Sequence, residues 1–321
     1  MSTTPLVVGI LNISPDSFSE LRETECRDSV ETTSAVTAII QNCQQLLSQR
    51  PDVIEIGGES TRPGATPCTQ KQELERIAPI FPLISRLARA SNIALAIDTR
   101  FGETAEYALQ HGATIINDVS GCSDPEMVRL LKSNLSNDVY YVAMHSLTVP
   151  ADRNIIITGN PISEILGWIQ MISGRIRSYG FPSNRLMIDP GIGFGKNAEQ
   201  SLAIIGSLAR IRAEGGYPIY IGHSRKSCLA FTPDQHPADR DLETHVLTGF
   251  ISQCNVSYIR VHDVSGTRRA IEVCRKLKNS TMPFTPVKGE MLESVIAPRT
   301  GDFSSTTPVN NLVKIDGTKG A

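Results

Sequence analysis

DVIEIGGESTRPGATP, residues 52–67, changes character at its midpoint. Val53-Ile54-Glu55-Ile56 is a short run of the kind that enters a core. Gly57-Gly58 then opens into Glu59-Ser60-Thr61-Arg62-Pro63-Gly64, a polar loop carrying a guanidinium. Such a loop at a strand's end either binds an anion or is surface filler. Which it is depends on whether the strand–loop unit recurs along the chain.

It recurs. Further apolar runs lie at 6–11 (LVVGIL), 93–98 (IALAID), 114–118 (TIIND), 139–145 (VYYVAMH), 185–189 (RLMID), 217–222 (YPIYIG) and 256–263 (VSYIRVHD), which with 53–56 makes eight. Helical periodicity fills the intervals. Val36, Ile40, Cys43 and Leu47 share a face, as do Leu74, Ile77, Phe81, Ile84 and Leu87, and Leu202, Ile205, Leu208 and Ile211. Continuously apolar strands alternating with helices predict a parallel sheet buried on both faces.

An open doubly wound sheet gathers its site at one switch point, on a few strands. Here nearly every run ends in a polar group: Asn12, Thr61-Arg62, Asp98, Asn117-Asp118, His145, Asp189, Ser224-Arg225-Lys226, and Arg260 with His262. A closed barrel brings all eight carboxyl ends onto one rim, so the expected fold is an α/β (β/α)8 TIM barrel. Its span is 1–278. Residues 279–321, rich in Thr, Ser, Pro and Gly, read as a disordered tail or linker.

Bulk composition narrows the partners. A formal net charge of −2 over 321 residues argues against a general nucleic-acid or membrane-surface binder. No run reaches transmembrane length, and the first residues lack a signal peptide's basic and apolar segments. Seven scattered cysteines without a CxxC pair suggest reduced thiols in a cytoplasmic protein and no zinc site.

DPGIGFGK (189–196) fits neither the Rossmann nor the Walker glycine spacing. Its glycines read as a strand-to-helix turn, and Asp189 as a residue facing a pocket. GHSRKS (222–227) follows the seventh run, where such barrels commonly bind anions. In IRVHDV (259–264), Arg260 and His262 share one strand face, partnered by a bound polyanion or an internal ion pair. Asp98, Asn117 and Asp189 suit either glycosidase-type acid–base chemistry or a flat heterocycle bearing N–H groups. A hydrolase built on Ser224, His262 and Asp263 lacks the Gly-x-Ser-x-Gly elbow. The residues thus place carboxylates toward one end of a site and cations toward the other.

GILNISPDSF (9–18), IGGESTRPGA (56–65), AIDT (96–99), INDV (116–119), MH (144–145), DPGIGFGK, GHSRKS and RVHDV (260–264) together resemble the dihydropteroate synthases, in that family's order. The resemblance implies condensation of a dihydropterin pyrophosphate with p-aminobenzoate. It implies that Asp98, Asn117, Asp189 and Lys226 hold the pterin, with Met144 and Phe194 lining the ring. Asn12, Arg62, Arg260 and His262 would meet pyrophosphate, Asn12 through Mg²⁺. Phe18, Thr61, Pro63 and Ser224 would line the aminobenzoate side. Arg62, Lys226, Arg260 and His262 would be the catalytic set, in a homodimer or in one module of a longer folate-synthesis polypeptide. One departure is Glu20-Leu21-Arg22, where the family often has Asp-Gly-Gly. Two rivals are the related barrels that pass a methyl group from a folate to a corrinoid protein, and a non-catalytic partner subunit. The Ser-Thr-Arg-Pro loop and the Arg-x-His pair favour the synthase over both.

Overall fold

The computed structural model describes residues 4–13, 29–59, 67–133, 138–152, 154–232 and 234–280, with only the backbone of 29–35. Eight strands occupy the eight apolar runs: β1 (Leu6–Asn12), β2 (Val53–Gly57), β3 (Ala94–Asp98), β4 (Ile115–Asp118), β5 (Tyr140–Met144), β6 (Leu186–Asp189), β7 (Tyr220–Ile221) and β8 (Tyr258–Val261). All pair in parallel, in the order β6-β5-β4-β3-β2-β1-β8-β7. The two ends meet through a parallel bridge between Ile188 and Ile219, and the Ile188 N–H donates to the Pro218 carbonyl at 2.9 Å. The sheet is closed into a barrel.

Strand side chains alternate, so every second one enters the lumen. Val8, Val53, Ala96, Ile115, Val142, Met187 and Tyr220 form an inner cluster separate from the main core. Their neighbours Ile54, Ile97, Ile116, Ile188 and Ile221 face outward into the large core beneath the helices. Each such side chain contributes roughly 1.5–3 kcal/mol by leaving water. Two residues beyond the inner cluster, the same inward face carries Glu55, Asp98, Asn117, Met144 and Asp189. Alternation alone therefore stacks a polar layer on an apolar plug.

The helices are α1 (Ser29–Ser48), α2 (Gln70–Ile77), α3 (Phe81–Ala90), α4 (Gly102–Gln110), α5 (Pro125–Ser133), α6 (Pro161–Ser178), α7 (Ala198–Gly206), α8 (Leu208–Gly215), α9 (Asp241–Ile251) and α10 (Val264–Asn279). The periodic stretch 74–87 is two helices, because Pro79 between them has no N–H to continue the ladder. The stretch 198–213 likewise divides at Ser207, after Gly206. In α1 the deepest side chains are Ile39, Cys43 and Leu46, with Val36, Ile40 and Leu47 flanking them, so its face is turned from the expected stripe.

Helix starts are fixed locally: Thr69 with Gln72 and Asn197 with Gln200 form capping boxes, and Asn160 caps α6 ahead of Pro161. The six cysteines among the described residues are unpaired thiols. Among those residues no helix is long and apolar enough to cross a membrane.

One carboxylic acid is built into this frame. Glu73 on α2 is fully buried under Gly58 and Thr99; the Thr99 hydroxyl donates to its Oε2 at 2.5 Å. Burial pushes its carboxyl from about 4.5 up to about 8, against the lowering effect of the Thr99 and Thr104 hydroxyls. The unfolded chain releases this proton near pH 4.5, so between that pH and about 8 the folded protein holds one proton more. Stability should therefore fall as pH rises across that window. Glu73→Gln, which mimics the neutral acid, is expected to flatten the thermal midpoint between about pH 5 and 8. An unchanged slope in the variant would assign the pH dependence to other groups.

Candidate active site

The polar layer opens at the carboxyl ends of the strands into a cavity lined by Asp98, Asn117, Met144, Asp189, Phe194, Lys226 and Arg260. Register brings several of these together. Asn12 on β1 lies across from Gly57, Gly57 from Asp98, and Asp98 from Asn117; on the far side Met144 lies across from Asp189. Sequence reasoning selected all of these except Gly57.

The floor is organised by a residue it did not select. Glu55, fully buried in β2, accepts from Arg260 Nε, from the Tyr220 hydroxyl and from Asn117 Nδ2, the last at 3.1 Å. Arg260 Nη2 donates onward to Asp98 Oδ2 at 2.6 Å. The available signal was parity: Glu55 shares Val53's inward face within an otherwise apolar run.

The expected separation of cations from carboxylates is thus not what the structure has. Arg260 lies among the carboxylates because β8 register sets it beside β1, next to β2. A guanidinium at that depth binds the nearest anions. Burial raises the Asp98 carboxyl; the Arg260 and Lys226 cations oppose this, while Glu55 and Asp189 add to it.

Asp189 is buried, and its carboxyl is pushed up to about 6 by burial, against the Gly191 N–H that it accepts at 2.7 Å. The loop that follows is tied down by Lys196. Its Nζ lies 2.8 Å from His145 Nδ1 and donates to the Phe194 carbonyl at 2.7 Å. Burial lowers Lys196 to about 7 and His145 to about 3. Phe194 presents its ring beneath Lys226 Nζ, 4.3 Å from the centroid, and packs with Met144 and Val119.

GHSRKS divides its side chains. His223 turns away to Thr248 Oγ1 at 2.9 Å, and Arg225 to the Asp241 carboxylate at 2.7 Å. Lys226 faces the cavity, and Ser224 Oγ lies 3.0 Å from His262 Nδ1 at the rim. Asp263 faces His245, not His262, so no Ser-His-Asp relay is assembled. Phe18, Thr61, Arg62 and Pro63, and the departure at 20–22, lie outside the described residues.

Gly191 has φ +66, and a Cβ there would sit 1.9 Å from the His145 carbonyl oxygen. Gly193 has φ +79, but its nearest neighbour would be 3.8 Å away. Gly191→Ala is therefore expected to cost well over the ~1 kcal/mol of a left-handed alanine. Gly193→Ala should cost about that amount alone. Thermal denaturation of the two variants checks the difference, and equal losses would contradict it.

Residues 8–262 match the family described as pterin binding enzyme. The dihydropteroate synthase of Synechocystis sp. is 34% identical over 274 residues, which span 84% of this chain and 89% of that protein. A probable bifunctional folylpolyglutamate synthase/dihydropteroate synthase of Halobacterium salinarum is 33% identical over 270 residues. There the match spans 83% of this chain but 31% of the relative, about a third of its length. Among solved structures, dihydropteroate synthase from Anaplasma phagocytophilum with bound 6-hydroxymethylpterin-monophosphate aligns with a TM-score of 0.74 at 32% identity, covering 86% of this chain and 100% of that one. With the described motif residues on one rim and the match running the length of the barrel, the chain belongs to the pterin-binding enzymes and, within them, to the dihydropteroate synthases.

Proposed function

We propose that this barrel condenses 6-hydroxymethyl-7,8-dihydropterin pyrophosphate with p-aminobenzoate, giving 7,8-dihydropteroate and pyrophosphate. The observation that carries this is the convergence of Asp98, Asn117 and Asp189 on one buried inner face, with Lys226 and Arg260 lining the same cavity. Two carboxylates and an amide oxygen suit a ring edge rich in N–H donors. Phe194 and Met144 supply the apolar wall.

The chemistry needs no protein nucleophile. The dihydropterin ring donates electrons into its exocyclic methylene, the C–O bond breaks, and its electron pair leaves with pyrophosphate. The aromatic amine then attacks the methylene carbon and gives its proton to pyrophosphate or water. Charge grows on the leaving group as the bond breaks, and cations fixed beforehand lower that barrier most. Arg260 is suited to this role: Nε and Nη2 are committed to Glu55 and Asp98, and the rest of its five-donor fork is left for phosphate oxygens. His262 at the rim and Arg62 complete the set.

Mg²⁺ fits the donor chemistry in kind. It takes one or two protein oxygens and completes its shell with phosphate oxygens and water. Asn12 is an exposed amide at the end of β1, and its Oδ1 lies beside the bare Gly57, where a Cβ would be 3.5 Å away. Among the described residues no cluster of three His, Cys, Asp or Glu offers an all-protein metal cage. Asn12 would hold the ion together with substrate, and the ion would supply charge neutralisation on the leaving pyrophosphate.

The same reading places the enzyme in the cytoplasm, consistent with its unpaired thiols. It also allows the chain to be one module of a longer folate-synthesis polypeptide. A homodimer accounts for the exposed rows Leu242, Val246 and Phe250 on α9 and Val273 and Leu277 on α10, two helices packed together. Light scattering should give twice the chain mass, falling toward one with Val246→Glu; a monomeric parent would remove the proposal.

Dihydropteroate formation should require both substrates together, with one pyrophosphate released for each product made. Binding of the pterin without release would make the chain a non-catalytic ring-binding subunit. Asp189→Ala should weaken the pterin by about 1–3 kcal/mol or more, because ring donors are left without an acceptor. Calorimetric titration with a phosphate-free pterin checks this, and unchanged affinity would remove Asp189 from the ring site.

A further inference from the structure

We infer that Glu55 sets the ring specificity of this site by fixing which way the Asn117 amide points. Glu55 does not line the cavity; it lies beneath it, fully buried, and acts through its neighbours. Its Oε1 receives Arg260 Nε, and its Oε2 receives the Tyr220 hydroxyl and Asn117 Nδ2. Asn117, 4% exposed, lines the cavity with Asp98 and Asp189. Its Oδ1 is buried and has no hydrogen-bond partner among the described residues.

An asparagine amide has two faces, and half a turn about its last bond exchanges an acceptor for a donor. An ion-paired carboxylate offers acceptors only. The amide must therefore turn its N–H toward Glu55 and leave its oxygen for the cavity. With Asp98 and Asp189 alongside, the cavity then presents acceptors from three side chains. A flat heterocycle satisfies them by bringing an N–H to each. One with a bare ring nitrogen opposite Asn117 would set lone pair against lone pair. Glu55 is thus a positioning residue that makes the site demand a donor-rich ring. This rests on the pterin reading above and deepens it.

The test is a double-mutant cycle read with phosphate-free 6-hydroxymethyl-7,8-dihydropterin. Glutamine at 55 presents either an oxygen or an N–H, which frees the Asn117 amide to turn over. Glu55→Gln is expected to weaken the probe about tenfold in the parent background, and by under about twofold when Asn117→Ala is already present. Equal losses in both backgrounds would overturn the proposal, since Glu55 would then act through Arg260 or through the fold.

Removing a charge beside Arg260 can also prevent folding, so the unaltered protein supplies a second measurement. One side-chain amide proton of Asn117, held by a buried carboxylate, should exchange slowly with solvent in nuclear magnetic resonance spectra before any ring is added. Fast exchange of both protons would overturn the proposal. If the parent does not bind the dihydropterin at all, the functional reading fails. The amide measurement still decides whether Glu55 holds Asn117.

Discussion

A parallel sheet closed on itself has one inner face, and every second side chain of all eight strands must go there. That constraint generates the site. At the level of Val8, Val53, Ala96, Ile115, Val142, Met187 and Tyr220 the lumen is filled with hydrocarbon. One step further along, the same parity delivers Glu55, Asp98, Asn117, Asp189 and Arg260 within reach of one another. Nothing beyond strand register is needed to assemble them, which is why residues scattered from 55 to 260 form one cluster. Burying charges this way is costly unless each finds a partner, and removing one partner costs more than the pair contributes. Arg260 carries that cluster, since it contacts both Glu55 and Asp98.

The fold was legible because strands and rim obey simple rules. Eight apolar runs and the polar residue ending nearly every one suffice for a closed parallel barrel, and each of the eight strands falls on one run, with β1 and β2 each ending one residue beyond theirs. Site residues at strand ends, such as Asp98, Asn117 and Asp189, were legible for the same reason. Glu55 was not, because a charged residue inside an apolar run is equally compatible with an outward position until parity is counted from the correct neighbour.

The fate of Arg225 and Arg260 was also hidden. Lys226 enters the cavity while Arg225 leaves it for Asp241, a choice made by the positive φ of Arg225 and by where α9 begins. Helix breaks at Pro79 and Ser207 escape a pattern of threes and fours, because a short interruption leaves the apolar face in phase.

The loop from Asp189 to Lys196 carries the last step. A flat ring needs a wall at fixed distance from the acceptors that read its edge, and under the proposed function one segment would supply both, Asp189 as the acceptor and Phe194 as the wall. A loop with three left-handed glycines, at 191, 193 and 195, holds no such distance by its own backbone. Lys196 supplies the restraint by contacting the Phe194 carbonyl and His145 across the strand junction. A permanently charged lysine at that depth would need a carboxylate partner. Burial brings Lys196 down to about 7 and keeps the His145 ring neutral, and the clasp is made by the Lys196 contacts to His145 and to the Phe194 carbonyl. Asp189 accepts its hydrogen bond from the Gly191 N–H rather than from Lys196, and it lines the cavity.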